Sequence, residues 1–168
     1  MRKRLGTSRD RAKDLEIDIR EVPGVQHVYV YAKRRGIGSL DVAITAAATP
    51  PSLPSPELIT AAQAVLDATA GFWADCRVYT PTEQLINMNA TVTGVGVDLD
   101  VVQQVIRDYF AELAPAQSYQ EAVLTARIMN IANVTDVDLT PAQNIVPEVT
   151  WMHTPWLRLG TLTVSTTT

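Results

Sequence analysis

Between residues 9 and 20 the apolar positions Ala12, Leu15 and Ile19 fall three or four apart, which predicts a helix with one apolar side. Pro23 stops it, because proline has no amide donor and disfavours helical geometry just upstream. Gly24 permits a sharp reversal, and the period then changes to two. Val28, Val30 and Ala32 share one face and Tyr29 and Tyr31 the other, which predicts a strand. Across the turn "KRRGIGS", Leu40, Val42 and Ile44 alternate with Asp41 and Ala43 as the second strand of a hairpin.

The proline-rich connector "ATPPSLPSP" leads to a helix start, with Ser55 as cap, Pro56 at the first helical position and Glu57 at the positive end. Leu58, Ala62, Val65, Leu66 and Thr69 form its stripe, and Gly71 ends it. "ADCRVYTP" reads as a short strand. Residues 83–95 read as a longer one, with Ile86, Met88, Ala90 and Val92 inward and Asn87, Asn89, Thr91 and Thr93 toward water. Asp98 caps the helix whose stripe is Val101, Val102, Val105, Ile106, Tyr109 and Leu113. Ser118 and Glu121 have capping-box spacing and open a further helix with Leu124, Ile128 and Ile131 inward. Asn133 makes a second corner, residues 134–140 form a strand, and residues 156–165 form the last one.

The two corners align: Val25 with Val134, Val28 with Val137, and the strand after Gly38 with the strand after Gly160. We read a weak internal duplication of a helix–strand–strand unit, with chance similarity between two hairpins as the alternative. The expected fold is α+β. Two small α/β lobes, residues 1–82 and 83–168, each pack helices on one face of a mainly antiparallel sheet.

Composition narrows the function. Apolar residues make up 46% and charged residues 19% of the 168, enough for a core and too little charge for disorder. No apolar run is long enough for a membrane helix, and no signal segment follows the basic start, so synthesis in a host cytoplasm and no membrane partner are expected. Charge is uneven. Through Arg35 there are ten Lys and Arg against five Asp and Glu; from Gly36 there are four against thirteen. The basic head, with Arg9, Arg11, Lys33, Arg34 and Arg35, suits either the acidic face of another protein or nucleic acid. In the nucleic-acid reading Tyr29 and Tyr31 would stack on bases, but the acidic body argues against it.

Chemistry is sparse. His27 and His153 lie in different blocks, and Cys76 alternates with Val78 as a buried thiol would. Asp98 and Asp100 are accounted for by capping, and neither "GIGS" nor "GVGVD" has the form of a phosphate loop. No catalytic residue, metal ligand or cofactor is therefore assigned. Trp151 and Trp156 sit in the apolar loop "PEVTWMHTPWLRL", which reads either as a contact surface or as a cover for the sheet.

The order of these phrases resembles the C-terminal region of the phage baseplate J-like proteins, the Mu-type wedge family. The resemblance runs from Gly6 and Thr7 through Val22, Pro23, Gly24 and Val25 to Gly38 and the Leu40–Val42 strand. It continues through Pro54, Ala74 and Asp75, Val78 and Pro81, the strand of Met88, Ala90 and Val92, and Tyr109 and Phe110. Asn133 to Val137, Glu148 and residues 159–164 complete it. Leu15 and Ile19 stand where the family usually has an aromatic pair, and the usual β-rich upstream region is not seen. The resemblance implies a structural subunit of a contractile tail baseplate or related injection machine, located in the virion and present in several copies. Other baseplate or tail proteins would be its partners, and no catalytic residue comes with it.

Overall fold

A computed structural model describes residues 11–70, 75–150 and 153–167. In chain order the elements are α1 (Arg11–Arg20), β1 (Val25–Ala32), β2 (Ser39–Ala46), α2 (Pro56–Ala70), β3 (Asp75–Tyr79), β4 (Thr82–Thr93), α3 (Leu99–Glu112), α4 (Glu121–Met129), β5 (Asp136–Thr140) and β6 (Pro155–Thr167). Contacts divide the chain into two compact units, residues 1–81 with 150–153, and residues 82–149 with 154–168. The fold is α+β, and among the described residues each unit has one three-stranded sheet. Among the described residues no helix is long and apolar enough to cross a membrane.

Both sheets are mixed rather than mainly antiparallel. In the first unit the order is β1-β2-β3, with β2 antiparallel to β1 and parallel to β3. The cause is α2: a parallel neighbour needs a long crossover, and the helix supplies it. In the second unit the order is β5-β4-β6, with β4 antiparallel to β5 and parallel to β6.

The first unit's core joins Leu15 and Ile19 of α1, Ala62 and Leu66 of α2, and Val28, Val42, Ile44, Cys76 and Val78 of the sheet. Alternation along β2 predicts one buried face, yet Asp41, Ala43 and Thr45 are buried too. β2 is the central strand. Ser55 caps α2 as expected, its Oγ accepting from the Leu58 amide at 3.3 Å.

The second unit's core sets Met88, Ala90 and Val92 of β4 against Val102, Ile106, Tyr109 and Phe110 of α3 and Leu124 and Ile128 of α4. The Asp98 carboxylate accepts from the Asp100 and Val101 amides, as a cap must. The capping box expected at Ser118 is not formed. α4 begins at Glu121, whose amide donates to Asn144 Oδ1 at 2.9 Å. Tyr119 instead pairs with Ile145, so the long loop is laid against this end of the helix and supplies the cap.

The corner is repeated in detail. Val22 donates to Ile19 and Val25 to Val22, and likewise Ile131 donates to Ile128 and Val134 to Ile131. Gly24 and Asn133 hold the same left-handed position, at φ +95° and +68°. Each corner leads into the antiparallel edge strand of its sheet, β1 or β5. The likeness stops there. β2 is central and pairs with β1, whereas β6 is an edge strand separated from β5 by β4.

Candidate contact surfaces

The basic hairpin is held by an ion pair inside the first unit. Arg35 Nε donates to Asp41 Oδ1 at 2.7 Å, and the side chains are 7% and 0% exposed. The same guanidinium also bonds the Asp75 carboxylate and, at 2.9 Å, the Asp75 carbonyl. Burial opposes the Arg35 charge, but the bonds to Asp41 and Asp75 outweigh it and hold the guanidinium above its usual pKa. Desolvation pushes Asp75 up while Arg35 pulls it down, and the net shift is downward. One arginine thus ties the loop to β2 and to the first residue of β3.

Arg34 lies with its guanidinium carbon 3.4 Å from the centre of the Tyr31 ring and donates to the Tyr79 hydroxyl at 3.0 Å. It covers the ring that the nucleic-acid reading needs open, and Tyr29 is half-buried. Of the three predicted hairpin cations, Lys33 is the exposed one. Beyond them, between Gly36 and Gly38 at φ +111° and +87°, Ile37 is 99% exposed. Arg9 lies outside the described residues, as does the side chain of Arg11.

On the helical side of this unit a hollow of about 550 Å³ opens between α1 and α2. Val22, Pro23, Ala61 and Val65 line it, with Asp18 and Glu21 beside them.

The second unit treats its aromatics differently. Trp156 is 1% exposed and donates its indole N–H to the Leu113 carbonyl at 2.6 Å. The Arg158 guanidinium carbon is 4.5 Å from the ring centre. This corrects the assignment of Trp156 to a contact surface: it lies at the start of β6, where Pro155, Trp156 and Leu157 are all buried, and its N–H finds a partner. Trp151 and Trp73 lie outside the described residues. A smaller hollow of about 390 Å³ near Tyr109, Gln120 and Val123 is flanked by the Arg127–Glu112 ion pair at 2.7 Å. Cys76 is buried, and burial raises its thiol pKa, which suits an unreactive side chain.

Sequence reasoning missed the roles of Asp41 and Asn144. A carboxylate inside an apolar strand, near three cations, was the available signal for the first. The second depends on a loop contact that no local pattern reveals.

No curated protein matches the chain. Residues 12–80 match the family model of the baseplate J-like central domain. The stretch runs from α1 through β3, so it takes in the helix–hairpin–helix–strand arrangement of the first unit. For residues 12–80 the part of the family matched is its central domain, where the sequence suggested its C-terminal region. Residues 12–80 of the first unit are thus similar to the central domain of the baseplate J-like family.

Proposed function

We propose that the chain is a wedge subunit of a contractile tail baseplate, or of a related injection machine, and that it works by protein–protein contact. The baseplate J-like central domain supports a structural role in a phage baseplate and a place in the virion tail. The observation that carries the finer reading is the hairpin of that domain. Buried Arg35 and Asp41 fix the loop, while Ile37 stands clear of the lobe at its tip. A protein that meets others needs such a rigid exposed element; a protein that transforms a small molecule needs a cleft with convergent polar groups. In this reading residues 1–82 and 83–168 act as two lobes, other tail proteins are the partners, and the chain is not an enzyme.

The test is co-assembly. The full chain is expressed with the remaining tail genes of its cluster, and the particles are separated on a density gradient. The reading expects the chain to travel with baseplates, and its deletion to stop assembly before sheath polymerises. Complete, contractile tails without the chain would contradict it.

A further inference from the structure

We propose that the Ile37 tip of one copy seats in the α1–α2 groove of a second copy, so that the first lobes join head to tail. This rests on the reading of the chain as a multi-copy assembly component.

Three observations converge on it. Ile37 is 99% exposed and packs on nothing among the described residues of its own lobe, which give no reason for a large aliphatic side chain there. The glycines on either side put no side chain in the way, and the buried ion pair of Arg35 keeps the loop from collapsing around it. An apolar residue on a rigid, narrow tip has the form of an anchor for a pocket.

The groove has the complementary form. Its floor of Val22, Pro23, Ala61 and Val65 is apolar, and its volume of about 550 Å³ accepts a branched aliphatic group with room for the adjoining backbone. The charges also match. The tip carries exposed Lys33, and the rim carries exposed Glu21 with Asp18 beside it. A positive loop entering an acid-rimmed groove is favoured, and two tips or two grooves facing each other are not.

Geometry fixes the kind of assembly. The tip follows the last residue of β1, while Val22 and Pro23 precede its first. Eight residues of strand at about 3.3 Å each separate the two by about 25 Å. Tip and groove are therefore different patches at different ends of the strand. With the tip given to one neighbour and the groove to another, the pairing is heterologous and adds copies in one direction. A single side chain buries little area, so the contact is weak between free copies and gains strength from repetition.

The experiment uses the full chain with Cys76→Ala as background. Protein carrying Ile37→Cys is mixed with differently tagged protein carrying Ala61→Cys and oxidised. The proposal expects the mixed disulfide to form several-fold faster than when Ile37→Cys is paired with Val95→Cys, an exposed site in the other lobe. Lys33→Glu should slow the reaction, and Glu21→Lys in the partner should restore it. Equal rates for both pairings, or a rate indifferent to Lys33→Glu, would overturn the proposal. Equal rates from a chain that still enters baseplates sink this contact alone; fast cross-linking of a chain that never enters them sinks the baseplate reading and leaves the contact.

Discussion

Arg35 Nε and Asp41 Oδ1 are 2.7 Å apart and almost wholly shielded from water, six residues from each other across the turn of one hairpin. Asp41 Oδ2 is buried with no hydrogen-bond partner among the described residues, where Arg35 carries the compensation for this carboxylate. Removing one member of a buried pair strands the other. Asp41→Ala should cost about 3–5 kcal/mol in urea unfolding of the first lobe. Replacing both Arg35 and Asp41 by apolar residues should cost less than the sum of the single changes. Additive single and double variants would show that the pair is not coupled.

Trp156 makes a parallel demand on the second lobe. Trp156→Ala removes a fully packed ring and should cost about 3–5 kcal/mol. Trp156→Phe keeps most of the packing but leaves the Leu113 carbonyl without its donor, which should cost about 1–3 kcal/mol. Proteolysis is a suitable readout: cleavage should begin in residues 82–168 while residues 12–80 persist. A stable, assembly-defective Trp156→Ala protein would return this residue to a surface.

Gly94 closes the turn after β4. A Cβ added there would lie 1.9 Å from the Asn133 carbonyl oxygen, a backbone atom that cannot swing aside. Gly94→Ala should therefore destabilise by at least about 1–3 kcal/mol, the usual range for overpacking. Thermal melting measures it, and an unchanged midpoint would mean that the second corner sits elsewhere.

Tyr119 supplies a pH dependence. Its hydroxyl donates to the Pro141 carbonyl, and burial, with Glu121 and Tyr109 adding to it, pushes its pKa up to about 12. The raised value favours the protonated phenol in the folded state. The stabilisation is therefore complete below the unfolded pKa of about 10 and is lost as pH rises toward 12. About 2–3 kcal/mol should disappear across that interval, and Tyr119→Phe should flatten it. Denaturation at pH 9 and pH 11.5 compares the two proteins. Identical alkaline losses in both would contradict the assignment.

The elements were legible wherever period and punctuation agreed. Pro23 and Gly24 marked the first corner, Ser55 and Asp98 marked helix starts, and the alternation from Ile86 to Val92 marked β4. The likeness of Gly24 and Asn133 was readable too, because glycine and asparagine are the residues that tolerate a left-handed turn. Strand order was not readable. The alternation of β4 says which face is buried but not that β6 pairs with it in parallel and keeps β5 from pairing with β6. Surface and core stayed undecided at Trp156, because an apolar contact loop and a buried strand start have the same local composition. Arg35 looked like a free cation until the fold brought Asp75, forty residues away, beside it.

A chain that is a building part of a tail travels in the finished particle at a fixed copy number. The most direct measurement is quantitative mass spectrometry of purified, intact particles, with the chain's peptides compared against those of a tail protein of known copy number. The account predicts a fixed, whole-number ratio that survives washing in high salt. A chain that is absent from the particles, or present only in a trace that salt removes, would contradict it.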